Sequence, residues 1–434
     1  MSLPASAAGR LFDVEVYLDG LDDAPARLGS LRPSFMGDRV LAGSSFQYDA
    51  AYLERPDSYA VSPELDLHPG RTYTGGDQTL FGAFADAAPD EWGQKIIHAN
   101  HALRLREDGT LPRRIGAFDY LLGVSDHTRM GALRFRNPDD GSPWLSDDAG
   151  VANLHELSTI IAATERYEKN EASEDDLAYL SDIATSPGGA RPKANVVTDK
   201  GHLAIAKLPH SKDGDIDVES WEALAMTIAG RAGITVPVIH RHLVGPSTAV
   251  LVSERFDRDA HGRRLGYLSA QTAIGPGRTL AAATYEDFAD TLAELSAAPA
   301  EDLREMFARV ALTVLINNVD DHWRNHGFIR SKKGWRLAPV FDLNPSRQRG
   351  VITSRAISTD DDPRRRDLRN LLATAGSYGL RSAEAGQILR TVGTEVQKWP
   401  QVASELEIPE GQRTAMASAF DDDQLSFALA APAN

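Results

Sequence analysis

The length, composition and charge of the chain already limit what it can do. It has 434 residues, of which 42% are hydrophobic and 25% charged, which suits two or three packed units of an ordinary globular protein. Its net charge of −16 argues against a general DNA- or RNA-coating role, and the absence of cysteine excludes disulfides and thiolate chemistry. No stretch has the pattern of a signal peptide or the length of a membrane span, so we expect a cytoplasmic protein with no membrane partner.

The first part of the chain predicts a mixed module of strands and a helix. Residues 12–18 alternate apolar and polar side chains, which is typical of a half-buried strand, and further strands are expected through residues 39–48. Apolar spacing over residues 80–100 predicts a helix. Residues 137–150 are rich in Pro, Gly, Asp and Ser and indicate a connector. We therefore expect an accessory N-terminal module over residues 1–145.

The middle of the chain, residues 146–256, predicts a small unit of strands and helices. Helical periodicity resumes over residues 151–164. Two short strands, residues 194–197 and 202–206, lie on either side of a turn, and a helix is expected over residues 218–232. We interpret this unit as the nucleotide-binding part of an N-terminal lobe.

The remainder of the chain, residues 257–434, changes to a mainly helical pattern after a predicted strand at residues 250–256. The predicted helices cover residues 285–297, 300–317, 367–374 and 382–399. A basic run at residues 364–366 is more typical of a solvated charged surface than of a nucleic-acid site. A β-rich first half followed by a helical second half predicts an α+β fold of two lobes, which fits a bilobal, protein-kinase-like fold but does not by itself establish one.

Three polar residues in the helical part have the spacing of a phosphoryl-transfer site. Asn325 follows Asp320 by five residues, and Asp342 comes 17 residues later, behind a strand predicted at residues 337–341. Phosphoryl transfer needs a carboxylate that orients the attacking hydroxyl and accepts its proton, a role we assign to Asp320. It also needs oxygen ligands that hold Mg2+ against the nucleotide phosphates, which we expect from Asn325 and Asp342.

Two alternatives remain open at this motif. His322 lies among Asp and Asn residues, so a zinc site competes with the magnesium interpretation. We identify no second His or Cys at ligand spacing nearby, which argues against zinc. Asp321 competes with Asp320 as the base, although the five-residue gap to Asn325 favours Asp320.

A glycine-rich loop and a lysine extend the phosphoryl-transfer interpretation. Residues 186–193 include Gly188 and Gly189, which let backbone amides approach a phosphate closely, although a tight surface turn would have the same composition. Lys207 closes a predicted strand, where it would contact nucleotide phosphates, and a lysine kept there for solubility is the alternative. Glu222, on the next helix, is the expected partner that holds Lys207 charged and aimed inward.

Taken together, these motifs resemble the HipA-like serine/threonine kinases of bacterial toxin–antitoxin systems. The segments that carry the resemblance are residues 46–53, 81–91, 186–193, 204–207, 221–237, 254–257, 319–325 and 337–346. The resemblance implies an ATP- and Mg2+-dependent kinase. It also implies that Glu254 and Phe256 form the adenine-side hinge. Ser186 would be an autophosphorylation site whose added charge switches the kinase off.

The resemblance also implies partners. Members of this family phosphorylate aminoacyl-tRNA synthetases and bind a helix-turn-helix antitoxin, so we expect a translation-related protein substrate and a HipB-like antitoxin. DNA would be contacted only through that antitoxin. Two other functions remain open: a small-molecule kinase of related fold, and a non-catalytic corepressor that binds the antitoxin.

Overall fold

The computed structural model describes most of the chain, as two compact units. The described residues are 13–36, 40–108, 115–137, 144–146, 150–184, 189–245, 248–275, 280, 282–347, 354–420 and 422–432. The first unit comprises Met1–Ser211 and Asp257–Leu268, and the second comprises Lys212–Phe256 and Ser269–Asn434. Among the described residues, no helix is long and apolar enough to cross a membrane. The three-part division at residues 145 and 256 stays a prediction.

The first unit contains an antiparallel sheet with the strand order β4-β3-β2-β1-β5. Its strands are β1 Val14–Leu18, β2 Ala26–Met36, β3 Val40–Tyr48, β4 Thr72–Tyr73 and β5 Leu133–Arg136. In β1, Val14, Val16 and Leu18 are buried while the two residues between them are half-exposed. This alternation is the period-2 pattern of the sequence, so the predicted first strand is confirmed.

The helices of the first unit come between and after these strands along the chain. They are α1 Ala50–Leu53, α2 Gly82–Asp86, α3 Glu91–Asp108, α4 Ala117–Gly123, α5 Leu157–Glu168 and α6 Glu174–Ile183. The single helix predicted over residues 80–100 is wrong, because the chain leaves helical conformation between Asp86 and Glu91. Pro89 lies in that gap, where it lacks an N–H for a helical hydrogen bond and disfavours helix in the residue before it.

The first unit has three further strands, and the last of them ends at Lys207. They are β6 Ala152–Asn153, β7 Lys193–Val197 and β8 Leu203–Lys207, with β6 parallel and β8 antiparallel to β7. The helix predicted over residues 151–164 starts late, because β6 and a 3-10 turn at Leu154–Glu156 precede α5. The two predicted strands around the turn are confirmed as β7 and β8.

The second unit is mainly helical. Its strands are β9 Ile239–Leu243, β10 Ala249–Glu254, β12 Gly327–Ser331 and β13 Gly334–Leu337; β11, Gly266–Ser269, spans the division between the units. Its helices are α7 Val218–Arg231, α8 Ala270–Ile274, α9 Tyr285–Leu295, α10 Pro299–Leu315, α11 Leu368–Ala373, α12 Ser382–Gln397, α13 Trp399–Glu405, α14 Glu410–Met416 and α15 Asp422–Ala430. Helix α10 is buried along most of its length and packs against α9 and α12, so it forms the centre of this unit.

The strand predicted at residues 337–341 is wrong beyond its first residue. Strand β13 ends at Leu337, and the segment to Asp342 has no regular structure. Pro339 has no N–H and so cannot donate to a strand ladder. The neighbouring amides are satisfied separately: Ala338 N donates to Gly327 O (2.8 Å) and Val340 N to Thr235 O (2.9 Å). Irregular backbone therefore leads to Asp342.

Candidate active site

The central helix α10 ends in a way that sets up the loop behind it. Asn317 adopts φ 49°, the left-handed conformation that Asn tolerates better than most residues. Its N–H donates to Val314 O (3.1 Å) and the N–H of Asn318 donates to Thr313 O (2.9 Å). These two bonds form the Schellman motif that stops a helix and satisfies its last carbonyls. A buried helix thus fixes the start of the loop that carries Asp320.

Asp320 and Asn325 are brought together by this loop. Asp320 is exposed, whereas Asn325 is buried at the end of a 3-10 turn, Trp323–Asn325. The side-chain Nδ2 of Asn325 donates to the backbone O of Asp320 at 2.9 Å. This bond orients the amide, so its Oδ1 remains the atom available as an acceptor or metal ligand. The predicted five-residue relation therefore has a direct structural basis.

Asp321, the alternative base, has a different environment from Asp320. It is buried, its Oδ2 accepts a short hydrogen bond from the Tyr285 hydroxyl, and its Oδ1 lies 3.0 Å from His326 Nε2. Burial alone would raise the pKa of Asp321, but His326 and the hydrogen bond from Tyr285 outweigh it and lower the pKa to about 2. Burial and the charge of Asp321 raise the pKa of the Tyr285 hydroxyl, which therefore keeps its proton. This geometry favours Asp320 as the group facing substrate.

Two residues that the sequence interpretation did not select also hold the loop. Arg366 Nη2 donates to Asn318 O at 2.7 Å, and Ser354 N donates to Val319 O at 3.0 Å. Arg366 belongs to the basic run that the sequence favours as a solvated surface, so that interpretation does not fit this member of the run. A run of arginines by itself gave no signal for such a long-range contact.

Asp342 lies in strained backbone next to the predicted hinge. Its φ of 55° is uncommon for a residue other than Gly, and such conformations cluster at functional sites. The Phe341 ring packs against Phe256, with 5.5 Å between the ring centroids. Glu254, at the end of β10, donates its N–H to Val238 O (2.8 Å), and its carboxylate lies 3.7 Å from His240. The structure therefore brings one hinge residue, Phe256, against the segment that carries Asp342.

In the first unit, the end of the glycine-rich loop is held by Asp90 and Trp92, at the start of α3. Gly189 N donates to Asp90 Oδ2 (3.0 Å), and Trp92 donates to Gly189 O through its N–H (3.0 Å) and to Lys193 O through Nε1 (2.9 Å). A side chain at Gly189, where φ is 94°, would meet the Lys193 ammonium. Strand pairing places Lys193 opposite Lys207. Asp90 and Trp92 thus hold the end of this loop beside Lys193, through contacts that the sequence interpretation did not anticipate.

Some predicted site residues stay untested by these contacts. Ser186 and Gly188 lie outside the described residues. Lys207 is half-buried in the first unit and Glu222 is buried in the second, so the proposed ion pair between them remains a prediction.

The donors of the second unit suit magnesium. Asp320, Asn325 and Asp342 offer carboxylate and amide oxygens, which Mg2+ prefers over the nitrogen and sulfur ligands typical of zinc. His326, four residues after His322, has a spacing that zinc ligands use, and the sequence interpretation overlooked it. The structure directs His326 Nε2 to Asp321, and among the described residues no cluster of three His, Asp or Glu side chains could hold a metal.

The fold and the loop at Asp320 define a kinase-like protein, and comparison with known proteins gives its family. Residues 28–136 match the HipA N-terminal domain and residues 185–399 match the HipA-like C-terminal domain. The chain therefore belongs to the HipA-like family, and it carries the two domains in that order.

Comparison with solved structures concerns the fold. The HipA structure from the Shewanella oneidensis complex of HipA, HipB and operator DNA covers 96% of this chain and 96% of its own, with a TM-score of 0.63 and 16% identity. The proinflammatory kinase CtkA of Helicobacter pylori matches with a TM-score of 0.44 and 15% identity, over 56% of this chain and 93% of its own. The likeness to HipA confirms the predicted α+β, kinase-like fold.

Among curated proteins, Y4mE of Sinorhizobium fredii, a kinase candidate, is 29% identical over 192 residues. The match covers 38% of this chain and 44% of that relative, so the chain spans less than half of its length.

Proposed function

We propose that this protein is an ATP- and Mg2+-dependent kinase that phosphorylates a serine or threonine hydroxyl of another protein. The observation that carries the proposal is the loop after α10, in which an exposed Asp320 lies beside an Asn325 amide oriented by the Asp320 carbonyl. Family membership supports kinase chemistry in general. The protein substrate and the residue type follow from the resemblance to serine/threonine kinases.

The residues suggest how the chain would assist the transfer. The substrate hydroxyl oxygen attacks the γ-phosphorus of ATP, an oxygen–phosphorus bond forms, and the bond to the β,γ-bridging oxygen breaks to release ADP. Asp320 orients the hydroxyl and accepts its proton. Asn325 Oδ1 and Asp342 would hold Mg2+, which neutralises the phosphate charge that develops during transfer. Lys207, positioned by Glu222, would bind the nucleotide phosphates, with Glu254 and Phe256 on the adenine side.

We further propose that the kinase is the toxin of a toxin–antitoxin pair. Its substrate would be a translation-related protein such as an aminoacyl-tRNA synthetase, and a HipB-like antitoxin would bind it. The solved relative of similar fold was crystallised with HipB and operator DNA, which supports a partner of this kind. Phosphorylation of Ser186 would add about two negative charges to the glycine-rich loop and repel ATP.

Phosphoproteomics after brief induction tests this function. Cells expressing the native chain should show new phosphoserine or phosphothreonine on a protein of translation and should stop growing, while cells expressing Asp320→Asn should show neither. Asp360→Asn is the matched control, because Asp360 is exposed in the same unit and lies outside the proposed site. Growth arrest that persists in Asp320→Asn would contradict a kinase toxin.

Purified protein separates the two kinase functions. Incubation with labelled ATP and Mg2+, without any other protein, should place label on Ser186, and Ser186→Ala should stay active longer after ATP addition. Turnover of a metabolite without any protein label would favour a small-molecule kinase instead. Identical time courses for the native chain and Ser186→Ala would contradict the proposal that phosphorylation of Ser186 inactivates the kinase.

A further inference from the structure

We propose that Tyr285 and Asp321 are positioning residues that fix the catalytic loop, defined here as residues 317–326, for phosphoryl transfer. This inference rests on the proposed function, in which Asp320 and Asn325 of that loop act on substrate and metal. Neither Tyr285 nor Asp321 belongs to the set of residues that the sequence motif assigns to the chemistry.

Side chains from three different segments contact the Asp321 carboxylate. Its Oδ2 accepts the hydrogen bond of the Tyr285 hydroxyl at the start of α9, and Thr313 Oγ1 of α10 lies 3.5 Å from the same oxygen. Its Oδ1 lies 3.0 Å from Nε2 of His326, the last residue of the catalytic loop. All these contacts are buried, so water does not compete for them.

The loop is closed on itself through this carboxylate. Asp321 and His326 stand on either side of the Trp323–Asn325 turn, immediately beside Asp320 and Asn325 respectively. The 3.0 Å contact between Asp321 Oδ1 and His326 Nε2 therefore fixes the separation of Asp320 and Asn325, the two residues that are expected to act.

The aromatic surroundings of His326 restrict its ring. The ring centroids of Tyr285, Phe288 and Trp323 lie 6.2, 5.7 and 6.0 Å from that of His326. The backbone O of His326 also accepts from Ala270 N at 2.8 Å. The end of the loop is therefore anchored by side chain and backbone, and Tyr285 takes part in both the aromatic packing and the hydrogen bond to Asp321.

Burial decides between a positioning role and a catalytic one. Tyr285 is 0% exposed and Asp321 3% exposed, so neither can touch a protein substrate. Asp320 is exposed. Small displacements of a reacting group cost large factors in rate, so loosening the loop should lower turnover without weakening nucleotide binding.

Tyr285→Phe is the direct test because it removes only the hydroxyl that Asp321 accepts from. The matched control is Tyr378→Phe, because Tyr378 is equally buried in the same unit and its hydroxyl has no hydrogen-bond partner among the described residues. We expect Tyr285→Phe to lower kcat by about tenfold, the scale of one lost hydrogen bond to a charged group. The KM for ATP should stay within twofold, and the apparent Mg2+ requirement should rise. Tyr378→Phe should match the native chain in all three.

Hydrogen–deuterium exchange gives a readout that does not depend on activity. Amides of residues 317–326 should exchange faster in Tyr285→Phe than in the native chain, with exchange elsewhere in the second unit unchanged. Exchange and kcat equal to those of Tyr378→Phe would overturn the inference, as would a uniform rise in exchange, which would indicate a general loss of stability. Asp321→Asn should reproduce the local change more strongly; an unaltered loop in that variant would also overturn it. If the native chain transfers no phosphate, the proposed function fails, whereas the exchange result still decides the loop contact.

Discussion

Replacing Arg309 by Met should destabilise the second unit markedly. Arg309 lies on α10, is buried at 2% exposure, and donates through Nε to Glu305 (3.0 Å) and through Nη2 to Ala338 O (2.7 Å). Methionine fills much of the same volume but leaves the buried Ala338 carbonyl without this donor. Breaking a buried ion pair by removing one partner costs about 3–5 kcal/mol.

The structure places this variant at the lower end of that range. The Glu305 side chain retains 20% exposure and still accepts hydrogen bonds from the Thr235 N–H (3.2 Å) and the Thr235 hydroxyl (2.7 Å). Its charge therefore stays partly solvated and hydrogen-bonded in the variant. We therefore expect a loss of about 3 kcal/mol in unfolding free energy. For a unit of this size, such a loss lowers the melting temperature by roughly 6–12 °C.

The assay is thermal unfolding followed by calorimetry, with Arg304→Met as the control. Arg304 lies on the same helix but is exposed, and exposed charges contribute about 0–1 kcal/mol. Equal melting temperatures for Arg309→Met and Arg304→Met would show that the buried contacts of Arg309 do not stabilise the second unit. A double-mutant cycle with Glu305→Gln should show strong non-additivity, because the two side chains share one contact.

Three further outcomes are expected. Lys207→Met should raise the KM for ATP by about tenfold or more in a transfer assay, whereas Lys200→Met, in the exposed turn between β7 and β8, should not change it. Gly386→Ala should cost about 1–3 kcal/mol in a melting experiment, because its Cβ would collide with Pro432 O. Gly411→Ala should be neutral or stabilising, because its Cβ would meet no described atom within 4 Å. Chelation of Mg2+ by EDTA should abolish transfer in the same assay and leave the melting temperature unchanged, and melting that falls with chelation would contradict a purely catalytic metal.

Local patterns predicted the parts of the fold that depend on local physics. The alternation of β1 and the length of α10 follow from burial with periods of 2 and 3.6 residues, and both elements lie close to the predicted bounds. The relation of Asp320 to Asn325 was predictable for the same reason, since one short loop contains both. The predictions failed at residues 80–100 and 337–341, because a proline inside each apolar run ends the regular structure that the periodicity alone predicts.

The residues that sequence did not identify act over long distances along the chain. Tyr285 bonds Asp321 from 36 residues away, and Arg366 reaches Asn318 across 48. Asp90 reaches Gly189 across 99 residues. No periodicity or short motif contains such pairs, because each depends on how separate elements pack. Buried Tyr and Arg side chains are recognisable as loop anchors only once the tertiary structure places their partners.

Phosphoryl transfer by the purified protein is the measurement that decides whether this chain is a kinase. With labelled ATP and Mg2+, the native chain and the Asp360→Asn control should transfer label to a serine or threonine of protein. Asp320→Asn should lose this activity by at least about a hundredfold while keeping its melting temperature, because Asp320 is exposed and removing its charge leaves the loop contacts in place. Transfer by Asp320→Asn at the native rate would contradict the role of Asp320, and the absence of transfer by the native chain would contradict kinase activity.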